Sequence, residues 1–176
     1  MKKFELTSEF VTFLGKKLFR IKALVSFGDV KEGELGGLVE KEENLDQSGN
    51  AWVYGNARIS GDARVSGDAQ VSGNARVSGD AQVSGNAWVS GDAWVSGDAW
   101  VQNCRDYSAT SCFGSENRTT TFFRTKDGGI SVRCGCFYGT LNEFREKVKE
   151  RHGDSRLAKE YLMLADLMEF RLSKDE

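Results

Sequence analysis

Proline is absent from the 176 residues of this chain, and histidine occurs only once, as His152. Because proline is the one residue without a backbone N–H, its absence leaves every ladder of strand hydrogen bonds uninterrupted. The single histidine leaves little scope for catalysis by an imidazole base. Positive and negative side chains almost balance, at a formal net charge of −2, so no basic field attracts nucleic acid.

Long apolar runs are absent as well. No stretch of eighteen apolar residues is present to cross a membrane, and Glu5 and Glu9 fall where a signal peptide would need an apolar core. We therefore expect a cytosolic protein that does not contact membranes.

Cysteine is scarce, and all four thiols follow residue 103: Cys104, Cys112, Cys134 and Cys136. In a reducing compartment free thiols are favoured over disulfides. One Zn²⁺ held by four thiols is the alternative, but the usual pairs of cysteines separated by two to four residues are missing. The sequence therefore predicts buried free cysteines, with no metal and no cofactor.

A six-residue repeat fills the middle of the chain and reads A-x-V-S-G-[DN]. Its aliphatic residue recurs nine times, at Val53, Ile59, Val65, Val71, Val77, Val83, Val89, Val95 and Val101. Side chains of a strand alternate between two faces, so Ala and Val point inward while x and Ser point outward. Glycine followed by Asp or Asn permits the sharp corner between strands. Units this short must stack into a solenoid to bury their apolar side.

The repeat matches the hexapeptide pattern of left-handed parallel β-helices over residues 45–103, at three strands per coil. We expect a mainly β protein. A β cap at residues 1–44, with a half-buried strand over 18–27, precedes a short left-handed parallel β-helix at 45–103. A small α/β unit at 104–176 follows, in which 119–125 and 130–137 form a hairpin. Thr140 and Glu143 form a capping box that begins the first of two helices.

The outward x positions carry the variable information. Residues eighteen apart stack on one face, which gives the columns Trp52-Gln70-Trp88, Arg58-Arg76-Trp94 and Arg64-Gln82-Trp100. Three outward indoles, Trp88, Trp94 and Trp100, are too much apolar area to leave in water. They either pack against the C-terminal unit or other copies in a homotrimer, or form a ligand or partner site. In that site Arg58 or Arg76 would pair with a nucleotide or another anionic ring compound.

One corner column consists entirely of carboxylates: Asp62, Asp80 and Asp98. Like charges about 5 Å apart repel each other. Either water screens them, or a cation such as Ca²⁺ bridges them.

The chain as a whole resembles a family of phage and prophage hexapeptide-repeat proteins. The resemblance rests on GELGGLVEKEENLDQSGNAWV before the solenoid, on the repeat itself, and on VRCGCFYGTLNEFREKVKERHG after it. It implies a virus-associated protein of the host bacterial cytosol and transfers no defined chemistry to particular residues.

The hexapeptide acyltransferases are similar to this chain in the repeat alone. Those enzymes place a general-base histidine in or beside the coils, whereas His152 lies at the end of a predicted helix, where it interacts with the helix dipole. We therefore expect a non-enzymatic binding protein, a homotrimer that counters host defence by sequestering a nucleotide-like ligand or by occluding a host protein. An acyltransferase with an atypical base, or a virion or assembly component, is the alternative.

Overall fold

The computed structural model describes residues 2–173. In chain order the strands are β1 (Phe4–Phe13), β2 (Lys16–Ala23), β3 (Leu35–Val39), β4 (Trp52–Val53), β5 (Arg58–Ile59), β6 (Arg64–Val65), β7 (Gln70–Val71), β8 (Arg76–Val77), β9 (Gln82–Val83), β10 (Trp88–Val89), β11 (Trp94–Val95), β12 (Trp100–Val101), β13 (Tyr107–Phe113), β14 (Arg118–Arg124), β15 (Ile130–Cys134) and β16 (Phe137–Thr140). The helices are α1 (Leu141–His152) and α2 (Arg156–Leu172), and a 3₁₀ turn spans Glu42–Asn44.

The repeat folds into a β-solenoid of about four turns with three faces. Its parallel strands follow the orders β3-β5-β8-β11, β4-β7-β10 and β6-β9-β12. From β4 to β12 each strand lies over the strand eighteen residues away, whereas β3 pairs with β5 at a spacing of twenty residues. Hydrogen bonds of 2.8–3.0 Å join successive coils; the N–H of Arg58 donates to Ala75 and that of Arg76 to Ala93. The three predicted columns are confirmed, and the left-handed sense of the coil stays a prediction.

The inside of the solenoid is a column of buried alanine and valine side chains. Every repeat alanine and valine between Ala51 and Val101 is at most 1% exposed. The repeat glycines adopt φ values between 59° and 69°, a region that favours glycine because it has no Cβ. The predicted role of these glycines at the corners is therefore confirmed.

The first turn begins before the recognisable repeat. Leu38 and Val39 of β3 pair with Arg58 and Ile59 of β5, and Leu45 bridges to Val65. The expected boundary between residues 44 and 45 therefore falls inside this turn. Gly36 and Gly37 make the approach possible, since a Cβ on either residue would lie within 2.6 Å of Val53.

The N-terminal hairpin of β1 and β2 closes the side of this first turn. It covers Trp52, which the repeat pattern places among the outward residues but which is fully buried. The Trp52 ring meets Phe4 and Phe27 edge-on, at centroid distances of 6.2 and 5.4 Å. The first indole of its column is thus a core residue of the cap.

The C-terminal unit is an antiparallel sheet in the order β13-β14-β15-β16 with two helices. The predicted hairpin is its central pair, β14 and β15. The edge strand β13 has no buried side chain: three of its seven residues are exposed and the other four are partly exposed. That exposure explains why no apolar alternation marks it.

Strand β14 separates two hydrophobic cores. Phe123 packs with the solenoid core, while its neighbour Phe122 packs with α1 and α2, because successive side chains of a strand point to opposite faces. The predicted capping box is confirmed: Glu143 N–H donates to the Thr140 hydroxyl, and the Glu143 carboxylate accepts from Thr140 N–H. None of the helices within residues 2–173 is long and apolar enough to span a membrane.

Trp52→Ala tests the cap. Because the indole is fully buried, its removal is expected to lower the free energy of unfolding by about 3–5 kcal/mol. Phe170→Ala is the control, since it removes a large aromatic side chain that is 85% exposed. It is expected to cost below about 1 kcal/mol. Urea unfolding followed by circular dichroism measures both, and equal losses would contradict the burial of Trp52.

Lys3 gives the cap a specific pH dependence. Its ammonium group lies under the hairpin and donates to the carbonyl of Ala51 at 2.9 Å. Burial lowers the pKa of Lys3 from 10.5 to about 8, and Asp46 acts in the opposite direction. Between these pH values the unfolded chain binds more protons than the folded one, so the contribution of Lys3 to stability increases with pH.

We therefore expect the free energy of unfolding to rise more, or to fall less, from pH 8 to pH 10 in the wild type than in Lys3→Met. Titrations common to both proteins cancel in this comparison. Lys31→Met, at an exposed lysine, is expected to keep the wild-type profile. Parallel profiles for wild type and Lys3→Met would refute the assignment.

Candidate functional site

The face of the solenoid built by β5, β8 and β11 carries stacked cations and rings. The Cζ of Arg58 lies 4.6 Å from the ring centroid of Phe13, at the end of β1. Arg76 Cζ follows at 5.0 Å from Phe13 and 5.2 Å from Trp94. Arg133, from the C-terminal sheet, continues the row with its Cζ 3.8 Å from the Trp94 centroid. Each guanidinium is thus held against an aromatic ring.

The register of the C-terminal sheet places Arg133 there. Arg133 pairs with Thr121 across β14 and β15, and the Thr121 hydroxyl accepts a hydrogen bond of 3.0 Å from the backbone N–H of Trp94. Strand β14 therefore lies directly against β11. The guanidinium of Arg133 extends from this contact over the indole.

An open cleft of about 500 Å³ lies between this face and the C-terminal sheet. We call it the arginine cleft; Arg76, Trp94, Arg118 and Arg133 line it together with Asp92, Asn117, Thr119 and Gly135. Arg118 projects across Gly135, where its Nη1 is 3.1 Å from the position that a Cβ would take. Asp92 is the one acidic residue that lines the arginine cleft among the described residues, and its carboxylate accepts a hydrogen bond from the Asn74 side chain.

The cations of this face are not neutralised from within residues 2–173. No carboxylate of that range lies within 4.0 Å of the charged nitrogens of Arg58, Arg76 or Arg133. The buried Nε atoms of Arg58 and Arg133 have no hydrogen-bond partner among those residues either. Burial lowers the pKa of Arg133, while Tyr138 and Cys136 act in the opposite direction. An anion entering the cleft would compensate a charge that has been partly removed from water.

The five residues predicted for the site divide between three faces. Arg58, Arg76 and Trp94 share one face, as the column pattern predicts. Trp88 and Trp100 lie on the other two faces, 57% and 40% exposed. Arg133 already covers the Trp94 ring, so the indole serves as a support for guanidinium groups and not as a free stacking surface.

Sequence reasoning missed Phe13, Arg118 and Arg133. All three lie outside the repeat. Phe13 reaches Arg58 and Arg76, and Arg118 and Arg133 reach the cleft, only through the docking of the two caps on the solenoid. In the strand ISVRC, Arg133 follows the buried Val132 and therefore points to the opposite face of the strand. The local pattern does not show which part of the protein packs against that face.

The aspartate column is partly neutralised by its neighbours. Asp62 forms an ion pair of 2.6 Å with Lys41, which holds the pKa of that carboxyl below its usual value. At the other end the Tyr138 hydroxyl donates to Asp98 at 3.4 Å. Among residues 2–173 no group of three His, Cys, Asp or Glu side chains is placed to hold a metal ion.

The four cysteines are free thiols, as predicted, but they are not buried. Cys104, Cys112 and Cys136 are exposed and Cys134 is half-buried. His152 ends α1 in the C-terminal unit, where its ring stacks on Tyr161 at 5.7 Å.

The stacked geometry of the repeats agrees with a known family pattern. Residues 57–71, 69–83 and 81–97 match the YdcK beta solenoid repeat. The match to YdcK covers the central coils and neither cap, so it supports the solenoid and carries no information on the arginine cleft. No curated protein matches the chain.

Proposed function

We propose that this protein is a non-enzymatic binding protein that captures a nucleotide-like polyanion in the arginine cleft. The observation that carries the proposal is the set of guanidinium groups of Arg76, Arg118 and Arg133 around one cleft, two of them without a carboxylate partner in residues 2–173. Guanidinium groups present several N–H donors in one plane and bind phosphate oxygens in pairs.

The chemistry of the lining favours retention of the ligand over its conversion. Arginine keeps its charge throughout the physiological pH range and is a poor proton donor or base. The cleft adds the amide of Asn117 and the hydroxyl of Thr119, which are neutral hydrogen-bonding groups. A protein that holds a nucleotide without converting it lowers its free concentration, which is the sequestering role that we assign to it in the host cell.

Arg133→Gln and Arg76→Gln test the cleft. Glutamine already occupies the outward repeat position at Gln70 and Gln82, so Arg76→Gln preserves the coil. Loss of one charge-assisted contact is expected to weaken binding about tenfold or more. Isothermal titration calorimetry with pyrophosphate, ATP and cyclic dinucleotides measures the change, and added salt is expected to weaken wild-type binding.

Arg64→Gln is the matched control, because it makes the same replacement in the same repeat position on a neighbouring face. It is expected to leave the affinity unchanged. The proposal fails if none of these anions binds the wild type, or if Arg64→Gln weakens binding as much as Arg76→Gln.

Self-association through the two exposed indoles completes the proposed function. Trp88 and Trp100 lie on different faces, so one copy can present Trp88 to the face that carries Trp100 on the next. Such a contact between unlike surfaces forms a ring when the rotation between successive copies closes. A ring of three copies is the homotrimer expected from the sequence.

Trp88→Gln together with Trp100→Gln is expected to yield monomers in size-exclusion chromatography with light scattering. Each substitution repeats the glutamine that already stands one coil below, at Gln70 or Gln82. Leu167→Gln is the control, because it removes an exposed apolar residue from α2, outside both faces. A trimer that survives the double substitution, or one lost in Leu167→Gln, would contradict this interface.

A further inference from the structure

A second cavity, of about 370 Å³, lies within the C-terminal unit. Its volume is within the range of about 300–1,000 Å³ typical of small-molecule sites. Phe137, Phe144, Val148 and Tyr161 contribute its apolar walls, and Cys136 and Arg151 are among the residues that line it. We call this cavity the aromatic pocket.

The rings of the pocket are fixed by contacts with one another. Phe144 lies at their centre, with ring centroids 5.8 Å from Phe122, 5.6 Å from Phe137 and 5.8 Å from Tyr161. The contacts with Phe122 and Tyr161 are edge-to-face, at interplanar angles of 87° and 84°. His152 stacks on Tyr161 from the end of α1. The pocket is therefore formed before any ligand enters, and a planar ring can extend the same edge-to-face pattern.

The charged side chains of the pocket are mainly basic. Lys147 forms an ion pair with Glu150 at 2.7 Å, and Arg118 lies 3.7 Å from Glu116. Arg151, in the last turn of α1, has no carboxylate within 4.0 Å in residues 2–173. One cation beside an apolar cavity selects a ligand with an apolar body and a single anionic group.

We propose that the aromatic pocket binds a small aromatic carboxylate, whose ring packs against Phe137 and Phe144 and whose carboxylate pairs with Arg151. The aromatic pocket adjoins the arginine cleft and shares Arg118 and Gly135 with it, but neither Arg76 nor Trp94 contributes to the pocket. The two ligand classes also differ, because the cleft offers several cations to a polyanion and the pocket offers an apolar cavity to one ring.

An exposed thiol in the pocket provides a direct readout. Cys136 lines the pocket and is exposed, so iodoacetamide can alkylate it in the folded protein. Cys104 is also exposed but lies outside the pocket. At saturating 2-naphthoate, mass spectrometry of the alkylated peptides is expected to show Cys136 protected several-fold and Cys104 unchanged.

Two variants of α1 separate the proposed ion pair from a general charge effect. Arg151→Glu reverses the charge at the pocket and is expected to weaken protection of Cys136 by 2-naphthoate about tenfold or more. Lys149→Glu reverses a charge in the same helical turn but outside the pocket, so it controls for the unfavourable effect of an acidic residue near a helix C-terminus. It is expected to retain wild-type protection.

The neutral analogue 2-naphthamide tests the role of the ligand's carboxylate. Equal protection of Cys136 is expected to require a concentration of 2-naphthamide at least about ten times that of 2-naphthoate. Failure of 2-naphthoate to protect Cys136, equal protection of Cys104, or equal loss in Arg151→Glu and Lys149→Glu would overturn the proposal. Pyrophosphate binding to the arginine cleft is measured separately, in the wild type and in Arg76→Gln and Arg133→Gln. Loss of the pocket proposal is therefore distinguishable from loss of the cleft proposal.

Discussion

The eighteen-residue stacking of the backbone is the constraint on which the rest of this structure depends. Hydrogen bonds between coils fix each outward residue above its equivalent one coil below, at a spacing of about 4.8 Å. Arg58 and Arg76 are thereby held in adjacent strands, where like charges repel. The rings of Phe13 and Trp94 reduce this cost by placing aromatic faces beside the guanidinium groups.

At both ends of the stack, backbone N–H and C=O groups have no further coil to form hydrogen bonds with. Polar side chains next to the terminal coils form hydrogen bonds with these groups instead. At the N-terminal end, Asn44 donates to the carbonyls of Gly61 and Ala63. At the C-terminal end, Asp106 accepts from the N–H groups of Gln102 and Asn103 and pairs with Arg124. Covered ends also prevent the pairing of strand edges between molecules.

The repeat could be predicted from the sequence because its pattern is local. Period, alternation and corner glycines determine which residues point inward and which share a column, and the site residues Arg58, Arg76 and Trp94 follow from that. The burial of Trp52 could not be predicted in this way, because Phe4 and Phe27 cover it from a segment without a repeat. The same reason applies to Arg133, whose position depends on how the whole C-terminal sheet docks. Strand β13 escaped prediction because none of its side chains is buried, so no apolar alternation marks it.

The solenoid therefore does not hold either candidate site alone. Its coils share one backbone geometry, and their three faces differ mainly in the Arg, Gln and Trp residues at the outward positions. The arginine cleft lies where the C-terminal sheet meets the last coils, the aromatic pocket lies within the C-terminal unit, and Gly135 lines both. Its φ of 58° bends the chain between β15 and β16, and its missing side chain leaves room for Arg118. Arg118 lines both the arginine cleft and the aromatic pocket. A Cβ at residue 135 would lie 3.1 Å from Arg118 Nη1 and would shift the end of this shared arginine by a few tenths of an ångström. The positive φ also disfavours any residue with a side chain there, so one glycine shapes two adjoining sites with different chemistry.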